Sequence, residues 1–188
     1  MRRLVVFVDR DGVINRNSPD YIKRPEEFEF LPGSREALCR LSGRGFDVIV
    51  VTNQSALGRG LVTREILDGI HRRMVGAVAA GGGQIRDVFI CPHRPEDGCS
   101  CRKPAPGLLL EAQRRHRIDL SAAVMIGDSA AAVECARAAG VPTSVLVRTG
   151  NGEEAGRELT SRGVFPSVIA DDLSQAVDWI IASSEMRR

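Results

Sequence analysis

Short runs of consecutive apolar residues alternate with longer amphipathic stretches along the chain. Six runs rich in β-branched residues predict strands at residues 4–8, 47–52, 87–91, 123–127, 144–148 and 168–170. The stretches between them have helical spacing and predict helices at residues 34–42, 63–80, 106–117, 130–139 and 173–181. Strands that are almost continuously apolar and alternate with helices are typical of a parallel sheet that is covered on both faces.

The predicted fold is therefore α/β: a doubly wound, Rossmann-like parallel sheet with right-handed crossovers and helices on both faces. The chain has 188 residues and contains no repeat or long flexible linker, so we expect one domain over residues 1–188. The intervals between the polar segments that follow the strands are close to filled by a helix, a strand or a short loop. They leave no room for an inserted cap domain.

Composition narrows the class of protein. The 26 Lys and Arg residues nearly balance 24 Asp and Glu residues, which argues against a broad nucleic-acid surface but allows a local basic pocket.

The first apolar run stops before Asp9 and is shorter than the roughly 7–15 residues of a signal-peptide core. No segment approaches the roughly 20 apolar residues that span a bilayer. We expect a cytoplasmic monomer that binds neither nucleic acid nor membrane.

The polar residues that follow the predicted strands carry the functional signal, because ligands of such sheets bind beyond the carboxyl ends of the strands. Asp9 and Asp11 follow the first strand, Thr52 ends the second, and Asp128 follows the fourth. Lys103 lies just before a predicted helix. These five side chains are expected to converge on one edge of the sheet.

This set of residue types suits phosphoryl transfer. One carboxylate can attack phosphorus, and a second carboxylate two residues away can protonate the leaving oxygen and later deprotonate water. The third acid, Asp128, adds the oxygen ligation that Mg²⁺ prefers. Thr52 and Lys103 can bind the phosphoryl oxygens, where charge accumulates in the transition state.

Three of the five cysteines lie within eleven residues and form a Cys-x-His…Cys-x-Cys pattern. Three thiolates and one imidazole complete a closed, structural Zn²⁺ site, with the ligands Cys91, His93, Cys99 and Cys101. The loop is polar and interrupted by proline and glycine, so metal binding would supply its order. It ends directly before Arg102 and Lys103, and we expect it to hold this basic pair against the phosphate.

Other reactive side chains have simpler interpretations. Cys39 and Cys135 lie in helical patterns among Ala and Leu and are expected to pack in or near the core. His71 and His116 lie in Arg-rich helical stretches and are expected to be solvated.

Four segments together resemble the motifs of the haloacid dehalogenase-like phosphatases: Asp9-Arg10-Asp11-Gly12-Val13-Ile14-Asn15, Val51-Thr52-Asn53-Gln54-Ser55, Cys101-Arg102-Lys103-Pro104 and Gly127-Asp128-Ser129. The resemblance runs from residue 4 to about residue 150. It is strongest to the subgroup of D-glycero-D-manno-heptose-1,7-bisphosphate 7-phosphatases and histidinol-phosphate phosphatases, which has a similar zinc loop.

The resemblance implies roles for individual residues. Asp9 is the nucleophile that becomes phosphorylated, and Asp11 is the general acid and base. Mg²⁺ is held by the carboxylates of Asp9 and Asp128 and by the main-chain carbonyl of Asp11. Thr52 and Lys103 bind the phosphoryl group. The residues implied to contact the sugar come from three segments: Asn17, Ser18, Pro19, Asp20, Tyr21, Thr52, Asn53, Gln54, Ser55 and Arg102.

Within the subgroup, Ser55 favours heptose bisphosphate, because histidinol phosphatases tend to carry an acidic residue there. Removal of the 7-phosphate is the expected activity, and histidinol phosphate or another small sugar phosphate is the alternative substrate. Ser129 stands where the heptose enzymes are expected to have a basic residue. Ala132 stands where many superfamily members have an acid, which leaves an inactive, zinc-stabilised scaffold as an alternative. A phosphoacceptor signalling domain also clusters Asp residues on an α/β sheet, but without the Asp-x-Asp spacing.

Overall fold

The computed structural model describes residues 4–186. Within this range six strands form one parallel sheet: β1 (Val5–Val8), β2 (Asp47–Asn53), β3 (Asp87–Cys91), β4 (Val124–Gly127), β5 (Thr143–Val147) and β6 (Val168–Ala170). The strand order is β3-β2-β1-β4-β5-β6. The chain therefore starts near the middle, winds to one edge, and then crosses back to β4. This reversal places a topological switch point between β1 and β4, where ligands bind in such folds.

Seven α-helices lie in the described part of the chain: α1 (Ser34–Gly43), α2 (Ser55–Gly58), α3 (Arg64–Ala80), α4 (Gly107–His116), α5 (Ala130–Ala139), α6 (Gly152–Ser161) and α7 (Leu173–Glu185). Helices α1, α3 and α7 share one apolar layer with the sheet, and α4 and α5 share the other. Helix α6 packs beside α5 through a smaller cluster. The prediction of a doubly wound sheet with helices on both faces is confirmed.

The central strand β1 shows why its sequence is almost entirely apolar. Val6 and Val8 belong to the layer under α1, α3 and α7, whereas Val5 and Phe7 belong to the layer under α4 and α5. Successive strand residues point to opposite faces, so a strand covered on both sides needs apolar residues at every position. The apolar run ends at Val8 together with β1, and Asp9 follows directly at the carboxyl edge of the sheet.

The remaining differences from the predicted elements have local causes. Helices α2 and α6 were not predicted, because α2 spans only 4 residues and the buried residues of α6 are only Gly152, Ala155 and Leu159 among charged neighbours. Helix α7 extends to Glu185, beyond the predicted end at residue 181. The other strands and long helices begin and end within one residue of their predicted bounds.

In the described residues, the connections from β1 to α1 and from β3 to α4 contain no strand or α-helix, and no cap domain is inserted there. The loop after β1 contains a 3₁₀ helix at Pro25–Glu27, and the loop after β3 contains another at Pro95–Asp97. Among residues 4–186 no helix is long and apolar enough to cross a membrane. Residues 1–3 and 187–188 of the predicted domain lie outside the described residues, and residues 1–3 are the start of the segment compared with a signal peptide above.

The packing of α1 yields a stability prediction. Leu38 is fully buried in the α1 layer, whereas Leu61 is 49% exposed. Leu38→Ala should lower the free energy of unfolding by about 2–5 kcal/mol, because it removes buried methyl groups and leaves a cavity. Leu61→Ala is the matched control and should cost about 0.5 kcal/mol or less. Urea denaturation measures both, and equal midpoints would contradict the assigned core.

Candidate active site

Asp9 forms a buried ion pair at the carboxyl end of β1. Its main-chain N–H donates to Ile126 on β4 at 2.9 Å, which extends the sheet by one residue. Its Oδ2 lies 2.5 Å from Nζ of Lys103, whose side chain is only 2% exposed. Lys103 Nζ also donates to the main-chain oxygen of Val51 at 2.9 Å. The lysine therefore bridges the first two strands of the sheet at the position of the predicted nucleophile.

Asp11 is held by three side chains. Arg10 donates through Nη2 to Oδ1 at 2.9 Å and to Oδ2 at 3.0 Å. Asn15 donates to Oδ1 at 2.9 Å, and Gln54 donates to Oδ2 at 2.7 Å. Burial acts to raise the pKa of Asp11, but the charge of Arg10 and these hydrogen bonds lower it below its ordinary value. The ionised form of this carboxyl group is thus favoured.

Asp128 lies in a cradle built by two glycines. A Cβ added at Gly12 would lie 2.0 Å from Asp128 Oδ2, and one added at Gly150 would lie 2.2 Å from it. Both glycines also have positive φ angles, 77° and 60°, which other residues rarely adopt. The N–H of Asn151 donates to the same oxygen at 2.9 Å. Only glycine at these two positions lets the backbone approach the carboxylate this closely.

The end of β2 is joined to the lysine segment by a reciprocal pair of hydrogen bonds. Asn53 donates to the main-chain oxygen of Lys103, and the N–H of Lys103 donates back to Asn53 Oδ1, each at 3.2 Å. Thr52, which is buried, accepts from Gln54 at 2.8 Å. Asn53 therefore fixes the lysine backbone, and Gln54 connects Thr52 to Asp11.

These groups line one open cleft of about 340 Å³. The predicted site residues that line it are Asp9, Asp11, Asn17, Ser18, Tyr21, Thr52, Asn53, Gln54, Ser55, Arg102, Lys103 and Asp128. Two residues implied to contact the sugar, Pro19 and Asp20, are exposed and do not line it, because the chain turns outward there. A larger cavity of about 600 Å³ lies near the start of β1 and β2, away from this carboxylate cluster.

The donor set in the cleft fits a divalent cation. Asp9 pairs with Lys103 and Asp11 pairs with Arg10, whereas Asp128 forms no ion pair with any residue in the range 4–186. Burial and the nearby negative charge of Asp9 raise the pKa of Asp128 to about 7. A Mg²⁺ ion, which prefers oxygen ligands, would compensate this excess negative charge.

The cysteine loop brings its four predicted ligands together. The ligand atoms of Cys91, His93, Cys99 and Cys101 all lie within 4.8 Å of one another. The three Sγ–Sγ distances are 3.2, 3.5 and 3.6 Å, and His93 Nδ1 lies 3.2 Å from Cys101 Sγ. Thiolates about 2.3 Å from a tetrahedral zinc are about 3.7 Å apart, so the geometry fits Zn²⁺.

The same loop contacts the segment that carries the lysine. The N–H of Arg102 donates to Cys99 Sγ at 3.3 Å, and its guanidinium donates to the main-chain oxygen of His93 at 3.1 Å. On the other side, the N–H of Gly58 donates to Pro92 at 3.1 Å. The loop therefore packs between α2 and the basic pair.

Comparison with known proteins identifies the relatives of the chain. A HAD-hydrolase-like family model matches residues 100–176. The D-glycero-beta-D-manno-heptose-1,7-bisphosphate 7-phosphatase of Pseudomonas aeruginosa is 42% identical over 181 residues, which cover 96% of this chain and 99% of the relative. The enzyme of the same name from Bordetella bronchiseptica is 38% identical over 179 residues, covering 94% and 97%.

A solved structure resembles the whole chain. The crystal structure of D,D-heptose 1,7-bisphosphate phosphatase from B. bronchiseptica, complexed with magnesium and phosphate, has a TM-score of 0.88 at 37% identity. The match covers 96% of this chain and 99% of that one. The chain belongs to the haloacid dehalogenase-like phosphatases. The resemblance inferred from the four motifs is therefore confirmed.

Two departures from the phosphatase motifs have local structural explanations. Ser129, where a basic residue was expected, caps α5, because its Oγ accepts from the N–H of Ala132 at 3.3 Å. Ala132 is fully buried against Gly127, where an added Cβ would lie 2.2 Å from the alanine Cβ. An apolar contact between β4 and α5 thus replaces the acid found in many members of the family. The contact that the described residues give Asp128 is the main-chain N–H of Asn151.

Several residues of the phosphatase site were missed by the sequence analysis. The prediction that His71 is solvated was wrong: it is 6% exposed and lies 3.0 Å from Arg10 Nη1. Its spacing from Leu67 and Met74 on the buried face of α3 was the available signal. Asn151 and Gly150 follow β5, and no motif marked them.

His116 also departs from its prediction. It is partly buried rather than solvated, since its Nε2 lies 2.7 Å from Asp87 Oδ2 and its ring meets Phe89 edge-on. Cys135 is buried as expected, and Cys39 is partly buried. None of these residues lines the phosphatase cleft.

The cysteine geometry predicts about one zinc ion per chain by elemental analysis. Cys99→Ser should lower the zinc content and the melting temperature, because one thiolate ligand is lost and metal binding orders the loop. Cys39→Ser is the control and should retain zinc. A stable, fully active preparation that contains no zinc would contradict the assignment.

Proposed function

We propose that this protein is a Mg²⁺-dependent phosphomonoester hydrolase that removes the 7-phosphate of D-glycero-D-manno-heptose 1,7-bisphosphate through a phosphoaspartate at Asp9. The observation that carries the proposal is the ion pair of Asp9 with Lys103 in a cleft that also contains Asp11 and Asp128. The relatives named as heptose-bisphosphate phosphatases support the substrate. A cytoplasmic monomer that binds neither nucleic acid nor membrane is part of the same proposal.

In the first step, a carboxylate oxygen of Asp9 attacks phosphorus and forms the acyl phosphate bond. The bond between phosphorus and the sugar oxygen breaks, and its electron pair stays on that oxygen. The negative charge of the bound phosphate acts against the lowered pKa of Asp11 and favours its protonated form, which gives its proton to the leaving oxygen. Lys103 and Thr52 stabilise the negative charge that develops on the phosphoryl oxygens.

In the second step, water attacks the phosphorus of the phosphoaspartate. Asp11, now a carboxylate, accepts the proton of this water, and the bond between Asp9 and phosphorus breaks. Inorganic phosphate leaves, and Asp9 returns to its carboxylate form. The low pKa of Asp11 suits this second role, because the ionised group is the base.

The groups proposed to hold Mg²⁺ are the carboxylates of Asp9 and Asp128 and the main-chain carbonyl of Asp11. When bound, the ion supplies positive charge that offsets the repulsion between carboxylates and phosphate. Gly12 and Gly150 keep Asp128 against the cleft floor, and Asn151 orients its carboxylate.

The rim of the cleft favours an anionic second group on the substrate. Arg59 and Arg102 both line it, and Tyr21 lies with them. A hydrogen bond with Ser55, together with the charges of Arg59 and Arg102, lowers the pKa of Tyr21. Glu96 lies 3.7 Å from Arg59, and no ion pair with Arg102 is found in the described residues. A second phosphate fits two guanidinium groups better than the amine of histidinol phosphate does.

Asp9→Asn should abolish Mg²⁺-dependent phosphate release, because an amide cannot act as the nucleophile. Lys103→Ala should lower kcat by about 10²–10³-fold, the loss typical of one donor to a developing negative charge. Lys23→Ala is the matched control, since Lys23 is the other lysine of the chain and does not line the cleft. Near-normal turnover in Asp9→Asn would contradict the mechanism.

The substrate is tested by comparing heptose 1,7-bisphosphate with histidinol phosphate. We expect the higher kcat/KM on the bisphosphate, and a reversed preference would contradict the assignment. Arg102→Ala should lower kcat/KM for the bisphosphate by about 10–100-fold, because a charge-assisted contact is lost. Arg114→Ala, on the exposed face of α4, is the control, and zinc analysis checks that the cysteine loop is retained in Arg102→Ala.

A further inference from the structure

Arg10 is a buried cation that the proposed chemistry does not use. It lies between the two aspartates of the first motif, and its side chain is 1% exposed. Its guanidinium meets Asp11 on one edge, Gln54 Oε1 at 3.0 Å, and His71 Nε2 at 3.0 Å. Buried charges are costly unless they are paired and hydrogen-bonded, so this arrangement must be specifically supported.

His71 supplies that support from a distant part of the chain. It belongs to α3, is 61 residues away from Arg10 in sequence, and is 6% exposed. A guanidinium group has only donors, so His71 must accept the hydrogen bond at Nε2 and carry its proton on Nδ1. Burial and the charge of Arg10 lower the pKa of His71 to about 3, which agrees with a neutral imidazole. The other charged groups near it are Asp11, which acts to raise its pKa, and Asp68 and Arg64 of α3.

The contact at Nη1 fixes how the guanidinium faces Asp11. With Nη1 bound by His71, Nε and Nη2 are left for the carboxylate, at 3.3 Å and 2.9 Å from Oδ1. Asn15 and Gln54 complete the contacts of the carboxylate. Removing the acceptor at position 71 would leave a buried donor without a partner, and the guanidinium would rotate to find one. Asp11 would then be oriented only by Asn15 and Gln54, with one of its three side-chain partners lost.

We propose that Arg10 and His71 are positioning residues that orient the carboxyl group of Asp11 for proton transfer to the leaving oxygen. The inference rests on the proposed function, in which Asp11 is the general acid and base. It makes α3 part of the active-site structure, although α3 itself does not line the cleft. Because Arg10 and His71 act through a proton donor, the activity lost when either is replaced should be larger for a leaving group that needs protonation.

The test compares two matched variants on two substrates. His71→Leu removes the acceptor, whereas His71→Gln keeps one in its amide oxygen. The sugar phosphate has a poor leaving group that needs protonation, and nitrophenyl phosphate has a good one that does not. The ratio kcat/KM isolates the first step, the phosphorylation of Asp9, because release of the leaving group is the first irreversible event.

We expect His71→Leu to lower kcat/KM for the sugar phosphate by about 10–100-fold, which is part of the 10²–10⁴-fold that a general acid contributes. For nitrophenyl phosphate the loss should be about 3-fold or less, since protonation contributes little there. His71→Gln should restore most of the activity on the sugar phosphate. Melting temperatures and zinc content verify that each variant is folded.

Arg10→Lys provides a second test if His71→Leu is unstable. It keeps the charge but loses the two-pronged contact, and it should show the same dependence on leaving group. Equal losses on both substrates, or no loss on either, would overturn the inference while the proposed function stands. If the unmodified protein hydrolyses neither substrate, the proposed function itself fails, and the positioning role fails with it.

Discussion

The buried ion pair between Lys103 and Asp9 is the interaction on which the rest of the site depends. Both groups are almost fully removed from water, and a buried charge that loses its partner costs several kcal/mol. The reciprocal hydrogen bonds of Asn53 and the packing of the cysteine loop hold the lysine backbone, while β1 holds the aspartate. In the proposed mechanism, a phosphoryl group that enters the cleft meets a cation already aligned on the attacking carboxylate, so little reorganisation is needed.

Charge balance connects the remaining parts of the site. Asp9, Asp11 and Asp128 bring three carboxylates to one sheet edge, and each is balanced differently. Asp9 has Lys103 and Asp11 has Arg10, whereas Asp128 has a backbone N–H and the proposed metal. This division suits three different tasks, namely nucleophile, proton carrier and metal ligand. A near-neutral protein can therefore bind a highly charged substrate without a broad basic surface.

Much of the fold and of the candidate site was predictable from the sequence because the chain follows two local patterns. Strands buried on both faces have nearly continuous apolar runs, and ligands bind where such strands end, so the convergence of Asp9, Thr52 and Asp128 on one cleft was predictable from position alone. The cluster of Cys91, His93, Cys99 and Cys101 was predictable because these residues are close in sequence. The contact between Arg10 and His71 was not predictable, since it joins a loop to the buried face of a helix 61 residues away in sequence. Helix α6 was missed because it buries few residues.

A covalent phosphoaspartate at Asp9, which the proposed mechanism requires, can be trapped with Asp11→Asn and nitrophenyl phosphate. The good leaving group allows the first step without an acid, whereas the second step is slowed because no carboxylate is left to accept the proton from water. We expect a burst of nitrophenol equal to the enzyme concentration and, after acid quenching, a phosphoryl group on the peptide that contains Asp9. Linear release from the first turnover, with that peptide unmodified, would contradict it.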